Sequence, residues 1–350
     1  MTDNLSEFNK GEILNENKRD KRLDNALLTT YEGDTLLSCV YIEHNSLPEL
    51  SIDQIDTSMT FFGKDIPFPI MINAMTGGTE QGVEINEALY NISKELGIPM
   101  EVGSQDVLME DTDVAELFLG EIVEDEERKT VLLSNLNANS TVEEIKFAMD
   151  TIKADGIALH INAGQEIFSK DGITDFNGRY ERIKNAAKIY SDRLIVKEVG
   201  SGMSKDTIKK LVDAGVKNID ISGSGGTNFI EIENLRNFDY DFSDLYEWGI
   251  PTAKSIINAR SISQDINIIA SGGIKTALDI VRALILGADI VGVSGEVLKY
   301  LIHGGYDYAK EYLTELMHKT KIVMLLLGAK NIDELKTVPY KITGKLKDII

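Results

Sequence analysis

A closed (β/α)8 barrel of the TIM type, in the α/β class, is expected from three features of the 350-residue chain. Short apolar runs recur along it, and each ends in a polar residue or a glycine turn. Segments with helical spacing separate the runs. The alternation repeats eight times. Strands that alternate with helices build parallel sheets, and eight such units favour a closed barrel over an open sheet.

Leu194 to Asn228 shows the repeating unit most clearly. Leu194, Ile195 and Val196 form a strand run that ends on Lys197, Glu198 and a glycine turn at Gly200 and Gly202. Ser204 stands at the N-cap of an amphipathic segment with Ile208, Leu211 and Val212 on one face. Gly215 closes that helix, and a second run with Ile219 and Ile221 ends on Ser222 and the cluster Gly223, Gly225 and Gly226. Four runs precede this stretch: Phe68 to Met75, Pro99 to Ser104, Val131 to Asn135 and Ile157 to Asn162. Two follow it, Asn267 to Gly273 and Asp289 to Gly295. The intervening helical patterns carry Leu89, Ile92 and Leu96, then Ile145, Met149 and Ile152, and later Ala277 to Leu286. The expected organisation is an N-terminal extension (1–62) covering the barrel, the barrel itself (63–328) ending in a long C-terminal helix from Tyr306 to Leu327, and a short tail (329–350). Gly226 to Thr252 is long and irregular for one βα loop, which suggests a lid or an insertion, with Trp248 expected to pack it.

The composition is that of an ordinary soluble chain, with 43% hydrophobic and 27% charged residues. No apolar run approaches the roughly eighteen residues of a membrane span, and the opening stretch lacks the apolar core of a signal peptide. A cytoplasmic protein without membrane partners is expected. The single cysteine, Cys39, lies in the apolar stretch LLSCVYI and reads as a small core residue. A formal net charge of −21 argues against nucleic acid as a partner. Within that acidic background Lys18, Arg19, Lys21 and Arg22 form a cationic cluster, read either as a solvated run or as part of an anion site.

In a barrel the polar strand ends converge on one mouth. Here they are Asn73 and Thr76, Ser104, Asn135, His160 and Asn162, Lys197, Ser222, Ser271 and Ser294. Amides and hydroxyls suit the edges of a large heterocycle better than they suit proton chemistry. Gly272 and Gly273 after the seventh run and Ser294-Gly295 after the eighth, with Thr227 nearby, suit a phosphate approached by backbone N–H groups and a helix N-terminus. The segment HINAGQE groups His160, Asn162, Gln165 and Glu166; its carboxylate either holds Mg²⁺ against a diphosphate or is a solvated loop residue. His44, His303 and His318 stand singly and read as structural or exposed. No Ser/His/Asp order, CxxC pair or Walker loop is present.

INAMTGG, VGSQ, LHINAGQE, VKEVGSGMS, GGTNF with IEN, WGIPT and ASGGI occur together and in order. The set closely resembles type 2 isopentenyl-diphosphate isomerases, the FMN-dependent enzymes, from about Lys18 to the C-terminus. The resemblance implies isomerisation of isopentenyl diphosphate to dimethylallyl diphosphate in isoprenoid biosynthesis. It also implies reduced FMN as the acid/base cofactor, Mg²⁺, NADPH as flavin reductant, and a homotetramer or homo-octamer. By the same resemblance Ala74, Met75, Thr76, Ser104, Asn135, Lys197, Ser222 and Thr227 contact the flavin, and Gly272, Gly273, Lys275, Ser294 and Gly295 hold its phosphate. Gln165 and His160 take the catalytic positions, Glu166 the Mg²⁺ position, and Ser104, Gln105, Asn162 and Gln165 face substrate. Lys18, Arg19 and Arg22 align with an Arg-Lys pair and a histidine that grip the diphosphate, so the order is swapped and a guanidinium replaces an imidazole. Asp106 stands where many relatives carry Arg, and a carboxylate there disfavours a diphosphate unless it points away or meets Mg²⁺. Two alternatives share the residues: a redox flavoenzyme such as a hydroxy-acid oxidase, and a non-catalytic flavin- or isoprenoid-binding protein.

Overall fold

The structure, a computed structural model, describes residues 23–31, 33–77, 79–110, 128–170, 172–236 and 240–350. Eight parallel strands close into a barrel. They are β4 (Ile70–Ile72), β5 (Met100–Glu101), β6 (Leu132–Asn137), β7 (Gly156–His160), β8 (Leu194–Lys197), β9 (Asn218–Asp220), β10 (Asn267–Ala270) and β11 (Ile290–Val293). Closure runs through β11 and β4, with Val291 opposite Ile70. All eight expected runs contain barrel strands, and on β6, β7 and β8 the ladder reaches the polar ends, with Asn137 opposite His160 and His160 opposite Lys197. Ser204 caps the helix Lys205–Asp213 by accepting from the Thr207 N–H, and Tyr306–Leu327 is one continuous helix.

Strand periodicity explains how the barrel is filled, since successive side chains point to opposite faces. Ile70, Ile72, Ile157, Leu159, Leu194 and Val196 join the large core shared with the surrounding helices. Their neighbours Met71, Ala158, Ile195, Leu133, Ile269 and Ile290 form a separate apolar cluster inside the barrel. An antiparallel hairpin, β2 (Met59–Phe61) and β3 (Lys64–Ile66), plugs the bottom of this layer with Phe61 and Ile66. Its turn uses positive φ at Phe62 (48°) and Gly63 (75°). A Cβ on Gly156 would stand 2.5 Å from the Phe62 ring, so glycine is required where the plug meets the barrel.

One more step along each strand brings a polar residue inward. Asn73, Glu101, Asn135, His160, Lys197, Asp220 and Ser271 therefore form a layer directly above the apolar one, and all are buried. Gly292 completes it; a Cβ there would stand 2.5 Å from Asn73 Oδ1.

Outside the barrel two sequence expectations need correction. Gly226 to Thr252 is not irregular throughout, because it contains the helix Phe229–Asn234, capped by the Asn228 side chain. Trp248 does not pack this span and is 68% exposed. Asn234 holds the span instead, accepting from the Phe242 N–H at 2.7 Å and donating to Tyr246 Oη at 2.8 Å. The stretch read as a tail contains β12 (Tyr340–Ile342), which pairs antiparallel with β1 (Val40–Ile42), and Leu346, which is fully buried. Cys39 is partly buried against the core beside this pairing. Among the described residues no helix is long and apolar enough to cross a membrane.

Candidate active site

The polar layer forms the floor of a cavity of about 610 Å³ at the carboxyl ends of the strands. That volume lies in the range of cofactor and ligand pockets. Ala74, Met75, Thr76, Ser104, Asn135 and Lys197 line one part of it. Ser222, Thr227, Gly272, Gly273, Ser294 and Gly295 line a second, with Lys275 beside them. His160, Asn162, Gln165 and Glu166 line a third. Leu23, Leu27 and Tyr31 of the N-terminal extension also face it. The Glu231 carboxylate holds this extension to the barrel by accepting from the N–H groups of Thr30 (2.9 Å) and Tyr31 (3.1 Å). Lys18, Arg19 and Arg22 lie outside the described residues.

Gln105 is the one described site residue placed elsewhere. It is fully buried and turned out of the barrel, accepting from the Ser134 hydroxyl and, at 3.2 Å, from the Asn135 N–H, while its amide donates to the Ala148 carbonyl. The chain bends after β5, so the inward parity that held for Glu101 does not extend to position 105. The expectation that Gln105 contacts substrate is therefore corrected to a structural role joining β5 to β6.

The glycine-rich loops are shaped by close backbone contact. Gly272 and Gly273 have φ of 92° and 77°. A Cβ on Gly226 would stand 2.5 Å from Gly273 N. The loops after β9 and β10 are thus packed backbone on backbone, which only glycine permits. The helix Gly295–Gly304 starts beside them after Ser294, and its N-terminus favours an anion.

Electrostatics below the cavity are dominated by one cation. Lys197 Nζ lies 3.0 and 2.9 Å from the two oxygens of Glu101, and both side chains are buried. Asp220 stands on the next strand, held by the Asn73 amide (2.8 Å), the Ser271 hydroxyl (2.6 Å) and the Ser222 N–H (3.1 Å). Burial opposes the charge on Lys197, but Glu101, Asp220 and Glu198 outweigh it and push the ammonium pKa up. Burial raises the carboxyl pKa of both Glu101 and Asp220. Glu198 turns into its own loop and accepts from the N–H groups of Val199 (2.8 Å) and Ser201 (2.6 Å). Burial pushes it up to about 7 despite those bonds.

Asp106 is not a bare carboxylate facing the cavity. It accepts from the Ser104 hydroxyl (2.6 Å) and from the Asn137 side-chain amide (2.8 Å), and stands 3.6 Å from His160 Nε2. Burial works against its charge, yet these contacts hold its carboxyl below the usual range. Glu166 accepts from the Asn162 amide at 3.0 Å and from the Ile173 N–H at 2.9 Å.

The residues fit a heterocycle bearing a phosphate. Asn73 Oδ1, Asn135 Oδ1, His160 Nδ1 and Asn162 Oδ1 are buried without a hydrogen-bond partner among the described residues. Buried polar groups are rarely left so. All four belong to side chains lining this one cavity, beside glycine loops suited to an anion.

A fold and mouth of this kind define a barrel of the flavin-binding class, and a family model described as FMN-dependent dehydrogenase matches residues 128–340. Solved structures agree in fold: a flavocytochrome b2 variant with sulfite bound has a TM-score of 0.65 over 91% of this chain and 79% of its own, at 15% identity. A mandelate oxidase variant has a TM-score of 0.62 over 93% and 96%, also at 15% identity. Sequence relatives are more specific. Proteins named isopentenyl-diphosphate delta-isomerase are 40% identical in Bacillus licheniformis, covering 93% of each chain, and 34% identical in Listeria monocytogenes, covering 86% of this chain and 84% of that one. The chain belongs to the isopentenyl-diphosphate delta-isomerase family.

Sequence reasoning missed Glu101 and Asp220. Both are acidic residues inside otherwise apolar strand runs, and their parity with Lys197 was the available signal.

Proposed function

We propose that the chain isomerises isopentenyl diphosphate to dimethylallyl diphosphate, with FMN in the cavity and Mg²⁺ on the diphosphate. The observation that carries this reading is the set of unpartnered polar atoms around the floor, gathered beside the glycine loops in a chain of this family. Ala74, Met75, Thr76, Asn135, Ser222 and Thr227 would border the flavin, with Ser104 and Lys197. Gly272, Gly273, Ser294 and Gly295 would take its phosphate, with Lys275 adding charge. FMN, once reduced by NADPH, would supply the proton-donating and proton-accepting groups for a 1,3-shift with no net redox change.

The chain's own residues bind, orient and exclude water. Gln165 and His160 orient the substrate, the latter with Nε2 directed to Ser104 (3.3 Å) and Asp106 and with Nδ1 left for the ligand. Glu166 would place Mg²⁺ so that the diphosphate charge is neutralised. No group of three acidic, histidine or cysteine side chains among the described residues could hold a metal by itself. A single carboxylate therefore suits an ion that arrives with the phosphate oxygens as its other ligands. Leu23, Leu27 and Tyr31 line the cavity and would meet the apolar isoprene unit, and Lys18, Arg19 and Arg22, which precede Leu23 in the sequence, would bind the diphosphate. Cytoplasmic location and a homotetrameric or homo-octameric assembly belong to the same reading.

Replacing Lys18 and Arg19 together by Ala is expected to raise KM for isopentenyl diphosphate at least about tenfold while sparing kcat. Charge-assisted hydrogen bonds to phosphate contribute about 1.5–3 kcal/mol. Steady-state kinetics with saturating FMN checks this, and an unchanged KM would remove the diphosphate role.

A further inference from the structure

Lys197 lies at the end of β8 with its ammonium between two environments. On one side it lines the cavity; on the other it meets Glu101, which does not reach the cavity surface. The Glu101 carboxylate spans Lys197 Nζ with both oxygens at 3.0 and 2.9 Å. The pair is shut away from solvent, with side-chain exposures of 5% and 1%, so water does not screen it. Asp220 faces the same ammonium from β9 and is fixed by three donors of its own. A lone lysine at this floor would offer the flavin a full positive charge; this one is already compensated from behind.

We infer that Glu101 is a positioning residue that pins the Lys197 ammonium at the cavity floor and, by compensating its charge, lowers the reduction potential of the bound flavin. The inference rests on the FMN reading above and extends it. Placing electrons on a flavin is favoured by an uncompensated cation and disfavoured by a buried anion beside that cation. Burial opposes the charge on Glu101, and the Lys197 ammonium offsets that cost. Removing the carboxylate charge takes away the anion that spans the ammonium, leaves Asp220 as the remaining carboxylate on the next strand, and frees part of the lysine's field for the cavity.

The test uses the full chain reconstituted with FMN, and reads the midpoint potential of the bound flavin by anaerobic dye-coupled titration. In Glu101→Gln, which keeps the shape and one acceptor oxygen for Lys197 Nζ, the oxidised–reduced equilibrium should move at least tenfold toward the reduced form, about +30 mV for a two-electron couple. Glu101→Asp keeps the charge but draws it back from Nζ, so the potential should rise by a smaller amount; it also serves if the amide variant does not fold. An unchanged or lowered potential in either variant, with flavin bound, overturns the inference. A wild-type chain that retains no FMN overturns the cofactor reading itself, and the two failures are distinct.

Discussion

Glu166→Gln is expected to lower turnover by about 100-fold or more and to move the Mg²⁺ requirement to much higher concentration, with FMN retention unchanged. Electrostatic groups aimed at a reacting charge are commonly worth that much. The amide preserves the volume and one acceptor oxygen, which suffices for the Ile173 N–H that anchors the loop, while the bond from the Asn162 amide is given up. Glu166 belongs to the helix Ala163–Phe168 after β7, whereas the glycine loops follow β9, β10 and β11. Loss of the anion charge at one side of the cavity should therefore spare the flavin phosphate at the other. A Mg²⁺ titration of initial rates checks this, and a wild-type curve would return Glu166 to the solvated-loop reading.

The second large effect concerns stability as well as activity. Lys197→Met leaves Glu101 and Asp220 buried without a cation, and breaking a buried ion pair from one side costs about 3–5 kcal/mol. FMN affinity should fall with it. The pH dependence has a definite sign. Burial already raises the carboxyl pKa of Glu101 and Asp220, and without Lys197 both would hold protons in the folded state to still higher pH. The folded variant then binds more protons than the unfolded chain. Its stability is greatest in acid and falls as pH rises through the raised folded values, so the deficit against wild type widens toward alkaline pH. Thermal unfolding at several pH values measures this. A deficit that narrows with rising pH would contradict the charge balance described for the floor.

Much of this was legible in the sequence, for one physical reason. Strands in a barrel expose alternate residues to its interior, so an apolar run with a polar terminus announces both the strand and its contribution to the mouth. That is why Asn73, Asn135, His160, Lys197 and Ser271 were placed where they lie. The rest depended on partners that no local pattern names. Glu101 reads as an isolated charge until Lys197, 96 residues away, is seen to meet it. Gln105 follows a recognisable motif, but a bend after β5 turns it outward to Ser134 and Ala148. Trp248 attracts a packing role by size alone, while the buried work of its loop is done by hydrogen bonds from Asn228 and Asn234. The pairing of β1 with β12 joins residues about 300 positions apart, beyond any short-range signal.

The most direct test of the central claim is a product assay on the chain reconstituted with FMN, reduced anaerobically and given Mg²⁺ and isopentenyl diphosphate. Dimethylallyl diphosphate should appear with reduced flavin and not with oxidised flavin, with no net consumption of reductant per turnover. Bound, reducible FMN without any product would contradict the isomerase reading and leave a flavin-binding barrel with another activity or none.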